Sequence, residues 1–436
     1  MVRTLLVAST LVLFSLSCKK ETRYEAVALD LRISEVVNDS TIRFQWKALP
    51  DKDVKAYRLL RSGRHISWWQ SAYRTDTIPI LHYHEGLRIQ ESVPLGNKFT
   101  YQLEVETKSG LFRSNEVIHE RKQGSFYGLV QDVVVDTVRK YAYVIGHWTG
   151  TIAQYKYQEN LRVKELTIPG NIGYCSIADV NGQPELYVPR HDGWVDIYHG
   201  VSLELEDRLY VGGQKVTSVI YHNNLLFVST SDSALVGGSQ LPTKVFRRDT
   251  KALVERVSGY INTRFLLIPG SGQRTELVGV VNDYPNRAFV RNSFDQTGKL
   301  LPERSKYISA GNAQVDIFQV APNGKHFVSG GNGMVYDTSL IYRYNLYVNR
   351  PNQLPRSHKD MVFNQSGSVV YCSREYQTTI ETYDFGSGAQ TGVLTTSLYP
   401  AKLFTDGKQL YSILSDQTGR TSETIHSNYY IQKINF

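Results

Sequence analysis

The 436-residue chain has only three cysteines and very little continuous apolar sequence. Cys18, Cys175 and Cys372 are too few to staple a chain of this length, so its stability must come from a packed core. The one sustained apolar run, 5–16, is too short to cross a bilayer as a permanent helix. No Gly-x-Ser-x-Gly, no His-Glu-x-x-His and no repeated His or Cys ligand set occurs, which removes the best-marked hydrolase and zinc-enzyme signatures. Beyond about Asp132 no segment holds a helical period long enough to compete with strands. The charge is modest too, +8 from 49 basic and 41 acidic residues. Its basic pairs, Lys19-Lys20, Arg121-Lys122 and Arg247-Arg248, are scattered rather than gathered into the stripe that nucleic acid requires, so no nucleic-acid partner is expected. The excess could face anionic glycans or lipid head groups, or be ordinary solvated surface.

What the chain does have is a hairpin signature repeated seven times. Six turns sit between apolar runs: Asn181-Gly182, Asn223-Asn224, Ser271-Gly272, Asn323-Gly324, Ser366-Gly367 and Asp406-Gly407. Such pairs tolerate the positive φ of tight hairpins. The first unit, turning at 137–140, lacks the signal. The β-prone run after each turn centres near Tyr143, Tyr187, Phe227, Val278, Phe327, Val370 and Tyr411, a spacing of about 45 residues that suits a four-stranded blade. A third strand is expected at 151–155, 194–198, 340–344, 379–383 and 430–434. The seventh unit then runs out of chain before a fourth strand, so a segment within 119–129 is expected to cover that edge and close the ring. Region 121–436 therefore reads as a seven-bladed β-propeller, the alternative being a sandwich or solenoid of irregular repeats. Its turn-plus-apolar-run units resemble those of YVTN-type and quinoprotein-like seven-bladed propellers, and no family catalytic motif accompanies the resemblance.

Region 24–120 forms a separate module. Ile42, Phe44 and Trp46 alternate along one strand, Tyr57 and Leu59 along the next, and Tyr101, Leu103 and Val105 along a later one, before a Lys108-Ser109-Gly110 turn. The order of buried Trp, Tyr strand and Gly turn resembles a fibronectin type III sandwich, with Trp46 and Tyr101 as packing residues. The fold class is thus all-β: a fibronectin type III β-sandwich followed by a seven-bladed β-propeller.

At the N-terminus, Arg3, the apolar run and Ser15-Leu16-Ser17-Cys18 read as a secretory signal over 1–17. The small residue before Cys18 resembles the lipobox of bacterial lipoproteins of the Bacteroidota type. The usual Leu three places before the Cys is Ser15 here. The resemblance implies lipidation of Cys18, a tether over 18–23 and an outer-membrane location, since Lys19 is not the Asp that retains some lipoproteins at the inner membrane. An ordinary signal peptide that leaves Cys18 free is the alternative. The mature chain would carry +7, because 1–17 takes one Arg with it.

Candidate ligand groups are few. His82, His84 and Glu85 alternate as a strand metal site would, but no further ligand is evident. Asp179-Val180-Asn181-Gly182 hints at a calcium loop but lacks a later carboxylate and coincides with a hairpin turn. No metal or other cofactor is expected. The loops between second and third strands are richer, with His147, Trp148, Arg190, His191, Trp194, Asp283, Tyr284, Arg374 and Tyr376. In propellers these loops share a face with the connections between blades, and exposed aromatics beside Arg and His suit protein or sugar recognition. The same aromatics could equally pack blade against blade. The expected function is a lipid-anchored envelope scaffold that docks a protein or glycan partner. The alternative is a lyase or hydrolase acting on glycan or cell-wall material, which convergent His, Tyr, Arg and carboxylate groups in the funnel would favour.

Overall fold

The structure is a computed structural model. It describes residues 29–38, 41–47, 54–66, 71–80, 87–93, 98–120, 126–128 and 130–435, apart from 232–234, 237–238, 271, 282–286, 303–305, 310–312, 332, 347–357 and 416–426. The signal segment, Cys18, the tether, His82, His84, Glu85, Asp283 and Tyr284 lie outside the described residues. The chain divides into two compact units with the main break after Glu120.

The first unit holds two antiparallel sheets. β1 (Arg32–Asn38), β2 (Thr41–Gln45) and β5 (Arg88–Ser92) form one, in the order β1-β2-β5. β3 (Val54–Ile66), β4 (Ser71–Ile80), β6 (Lys98–Thr107) and β7 (Leu111–Glu120) form the other, in the order β4-β3-β6-β7. Strict alternation sends one face of each strand inward. Ile42, Phe44 and Trp46 meet Tyr57, Leu59, Tyr101, Leu103 and Val105 in a single core. Phe44 lies 4.7 Å from Tyr101, centroid to centroid, and Trp46 lies 5.8 Å from Tyr57.

The second unit contains seven successive four-stranded antiparallel sheets among the described residues. They span 132–167, 176–210, 216–257, 263–309, 318–345, 358–395 and 399–434. The first strand of each touches the first strand of the next, and that of the seventh returns to the first, so the sheets close into a ring of blades. Burial follows position in the blade. Second strands such as Tyr141–Gly146, Leu225–Thr230 and Leu410–Ser415 are buried throughout, because a blade covers each face, and they read as mainly apolar runs. Fourth strands such as Leu161–Thr167 and Gln390–Thr395 are largely open. The apolar side chains gather between blades, one cluster at each of the seven junctions. At the closing junction Tyr157 of blade one packs edge-on against Phe404 and Tyr411 of blade seven, at 5.4 and 4.8 Å.

Turn chemistry sets the hairpins. Asn181 and Gly182 both have positive φ, 52° and 83°, as do Asn223 and Asn224, 51° and 59°, which matches the twist of a two-residue hairpin. The seventh sheet takes its outer strand from far upstream: β8 (Phe126–Gly128) pairs antiparallel with Ser427–Ile434 through Tyr429 and Phe126. One expectation is corrected. Residues 340–344 do not form a third strand; that strand is Met334–Asp337, and Tyr342–Asn345 is the outer strand paired to it. Blade five turns within Gly330 to Gly333, and its strands are only about four residues long, so the buried Met334, Val335 and Tyr336 precede the pattern that was matched. Cys175 and Cys372 are both buried free thiols.

Candidate functional site

Inner strands of a ring face one another across a shaft, and here the shaft is charged. Asp132, Arg264, Asp360 and Lys402 sit on the inner strands of blades one, four, six and seven, and Asp316 lies two residues before that of blade five. Buried charges must be paired to be tolerated. Arg264 donates to Asp132 Oδ1 at 3.3 Å and to the Val315 carbonyl at 2.7 Å, and its guanidinium carbon lies 4.4 Å from the Tyr174 ring centroid. Lys402 donates to the Asp316 carbonyl at 3.2 Å and stands 3.9 Å from Asp360 Oδ1. Asp360 Oδ2 accepts the Leu403 N–H at 2.7 Å. Burial raises the pKa of Asp360 above the usual carboxylate range despite Lys402. Burial pushes Asp316 the same way, but Lys402 and the Tyr174 hydroxyl overcome it and hold that carboxyl low.

At one end the shaft opens into a cavity of about 410 Å³. Its walls come from connections between blades and from loops between second and third strands. Gly173 lets the chain into this crowded mouth: a Cβ there would lie 2.4 Å from the Thr217 carbonyl oxygen. The next residue, Tyr174, donates its N–H to that carbonyl at 2.8 Å and its hydroxyl to Asp316 Oδ1 at 2.7 Å. Burial raises the Tyr174 phenol well above its ordinary value, so it remains a protonated donor. The His147 ring stands edge-on to Tyr174 at 4.7 Å. Burial lowers its pKa to about 4, against the pull of Asp132 and Asp316, so the imidazole is neutral at pH 7. His191, also lining the cavity, falls to about 4 through burial and then the nearby Lys215 charge. Lys215 is itself lowered by burial. Gln131 accepts the His147 backbone N–H through Oε1, which fixes its amide. Gln131 Nε2, His147 Nε2 and Asn262 Oδ1 are buried with no hydrogen-bond partner among the described residues.

Of the residues singled out by sequence, His147, Trp148 and His191 come together on this cavity, with Trp148 55% exposed. The others are placed elsewhere. Arg190 pairs with Asp192 and, at 3.1 Å, with Asp196, inside blade two. Trp194 packs on Tyr210 of the same blade at 4.7 Å. Arg374 lies 3.7 Å from Glu381, which also meets His358 at 3.2 Å and Tyr383 at 2.7 Å. Tyr376 is 40% exposed at a loop position of φ 61°. Asp179 caps its own turn at Gly182 and pairs with Arg139. Sequence reading missed Gln131, Tyr174, Lys215, Asn262, Arg287 and Asp316, together with the other shaft charges. One signal was available, a lone charge inside an apolar inner strand, as in Thr263-Arg264-Phe265 and Ala401-Lys402-Leu403.

No family model matches the chain, and no curated protein matches it. Solved structures do. A crystal structure of the RRP9 WD40 repeats aligns with a TM-score of 0.52 at 12% identity, covering 72% of this chain and 98% of that one. A structure of U3-55K aligns with a TM-score of 0.53 at 12% identity and the same coverage, 72% and 98%. The likeness is one of fold: this is an all-β chain of repeated four-stranded antiparallel sheets sharing the β-propeller architecture of WD40 proteins.

Proposed function

We propose that this protein is a lipid-anchored scaffold of the bacterial cell envelope, and that its propeller docks a protein or glycan partner on the face bearing the 410 Å³ cavity. The observation that carries the docking reading is convergence: connections and loops from several blades meet there around unpartnered polar groups, with Trp148 exposed. The lipobox-like Ser17-Cys18 supports anchoring and an outer-membrane location. The strand orders β1-β2-β5 and β4-β3-β6-β7 support a fibronectin type III sandwich acting as a spacer. The turn-and-run repeats support a YVTN-type or quinoprotein-like propeller. A combined Trp148→Ala and His191→Ala variant should melt with the wild type yet lose the partner captured from envelope extracts by the full-length protein. Undiminished capture would move the docking surface elsewhere.

A second reading, a lyase or hydrolase of glycan or cell-wall material, draws on the approach of His147, Tyr174, Arg264 and Asp316. The pairing within that set weighs against it. Tyr174 is committed to Asp316, and Arg264 to Asp132 and a backbone carbonyl, so His147 Nε2 is the group left for chemistry. Depolymerisation of an envelope glycan that His147→Ala abolishes would favour the enzyme.

A further inference from the structure

The cavity walls define a ligand more narrowly than the docking reading on which this inference rests. Two cations face the cavity without a carboxylate partner among the described residues. Lys215 makes no side-chain hydrogen bond or ion pair among the described residues, and Arg287 donates to the Ala313 carbonyl at 3.1 Å. The acid in the lining, Asp316, is engaged by Tyr174. Among the described residues an ammonium-bearing ligand such as an amino acid would find no open carboxylate here, whereas an anion would find two cations without a carboxylate partner. The uncharged orphans add a second condition. Gln131 Nε2 must donate, Asn262 Oδ1 must accept, and His147 Nε2 can do either as its tautomer dictates. The sulfate dianion offers acceptors alone and would leave Asn262 unmet. Hydroxyl groups both donate and accept, so a polyhydroxylated anion satisfies every group at once. A volume of about 410 Å³ is small for a binding pocket and admits a single sugar ring or two. Trp148 offers an apolar ring face to whatever follows outside.

We propose that the cavity is a sugar-acid site, which takes one carboxylate-bearing pyranose unit of a glycan with Lys215 and Arg287 on the carboxylate and Gln131, His147 and Asn262 on its hydroxyls.

The test is calorimetric titration of the full-length protein at pH 7 with glucuronate and galacturonate, and with glucose and inorganic sulfate as the neutral and the hydroxyl-free comparisons. At least one uronate should bind tenfold or more tightly than either comparison. Lys215→Met and Arg287→Gln should each weaken it tenfold or more with melting unchanged, and Gln131→Leu should weaken uronate and glucose alike. Sulfate bound as tightly as the uronates, or uronate binding indifferent to both cations, overturns the assignment. If neither uronate binds while the Trp148/His191 variant still loses its captured partner, the sugar-acid site is wrong and the docking face stands. If capture is also unaffected, both readings fall.

Discussion

Arg264 ties together three parts of the ring, reaching Asp132 of blade one, the Val315 carbonyl before blade five and the Tyr174 ring before blade two. Removing one member of a buried charge pair leaves the other unpaired, so Arg264→Ala should cost about 3–5 kcal/mol in urea denaturation. Arg264→Lys should recover part of that, since it restores the charge without the planar fork. The two cavity histidines predict a pH dependence of definite sign. Each is neutral when folded, with a pKa near 4, against 6.5 when exposed. Between those values the unfolded chain binds more protons than the folded one, so stability is full above pH 6.5, declines on acidification and stops declining from this source near pH 4. His147→Gln should flatten that slope in melts taken between pH 7 and 4, by on the order of 3 kcal/mol at most. Little of this was legible in the sequence at the level of residues. Histidine and tryptophan in the loops after second strands pointed to the end of the ring that carries the cavity. The segments that bury His147 and the carboxylate that holds Tyr174 come from blades far apart in the chain, and spacing carries no information about which of them meet.

Elements were far more legible, because their causes are local. Asn-Gly and Asn-Asn turns need positive φ, and buried second strands need mainly apolar runs, so both show in the sequence. Only the third strand of blade five was misplaced, because the strands of that blade are short and its outer strand, Tyr342–Asn345, alternates two tyrosines with polar residues. The two-sheet module has its own core around Trp46, which predicts that residues 24–120 fold alone. Trp46→Ala should then cost that fragment roughly 3–5 kcal/mol, enough to unfold it by circular dichroism. A fragment without cooperative melting would show that the core is not self-sufficient.

At the scale of the whole molecule the anchoring proposal makes a plain demand. Cys18→Ala should move the protein from the membrane to the soluble fraction or leave its signal segment attached, and a membrane-bound, processed variant would refute lipidation at that residue. The closing of the ring by β8 reaches further, into the time course of folding. Phe126 and its partner Tyr429 are about 300 residues apart. At synthesis rates of ~5–20 residues per second, β8 waits at least ~15 s for the strand that completes it. Contacts of such sequence separation also fold slowly once both partners exist, because loop closure must precede any gain. Until the two pair, β8 has no partner and blade seven, once made, has an open edge that can pair with another chain. A circular permutant carrying Phe126–Gly128 after Ile434 makes the same pair local. It should refold faster, and with less aggregation, than the natural order.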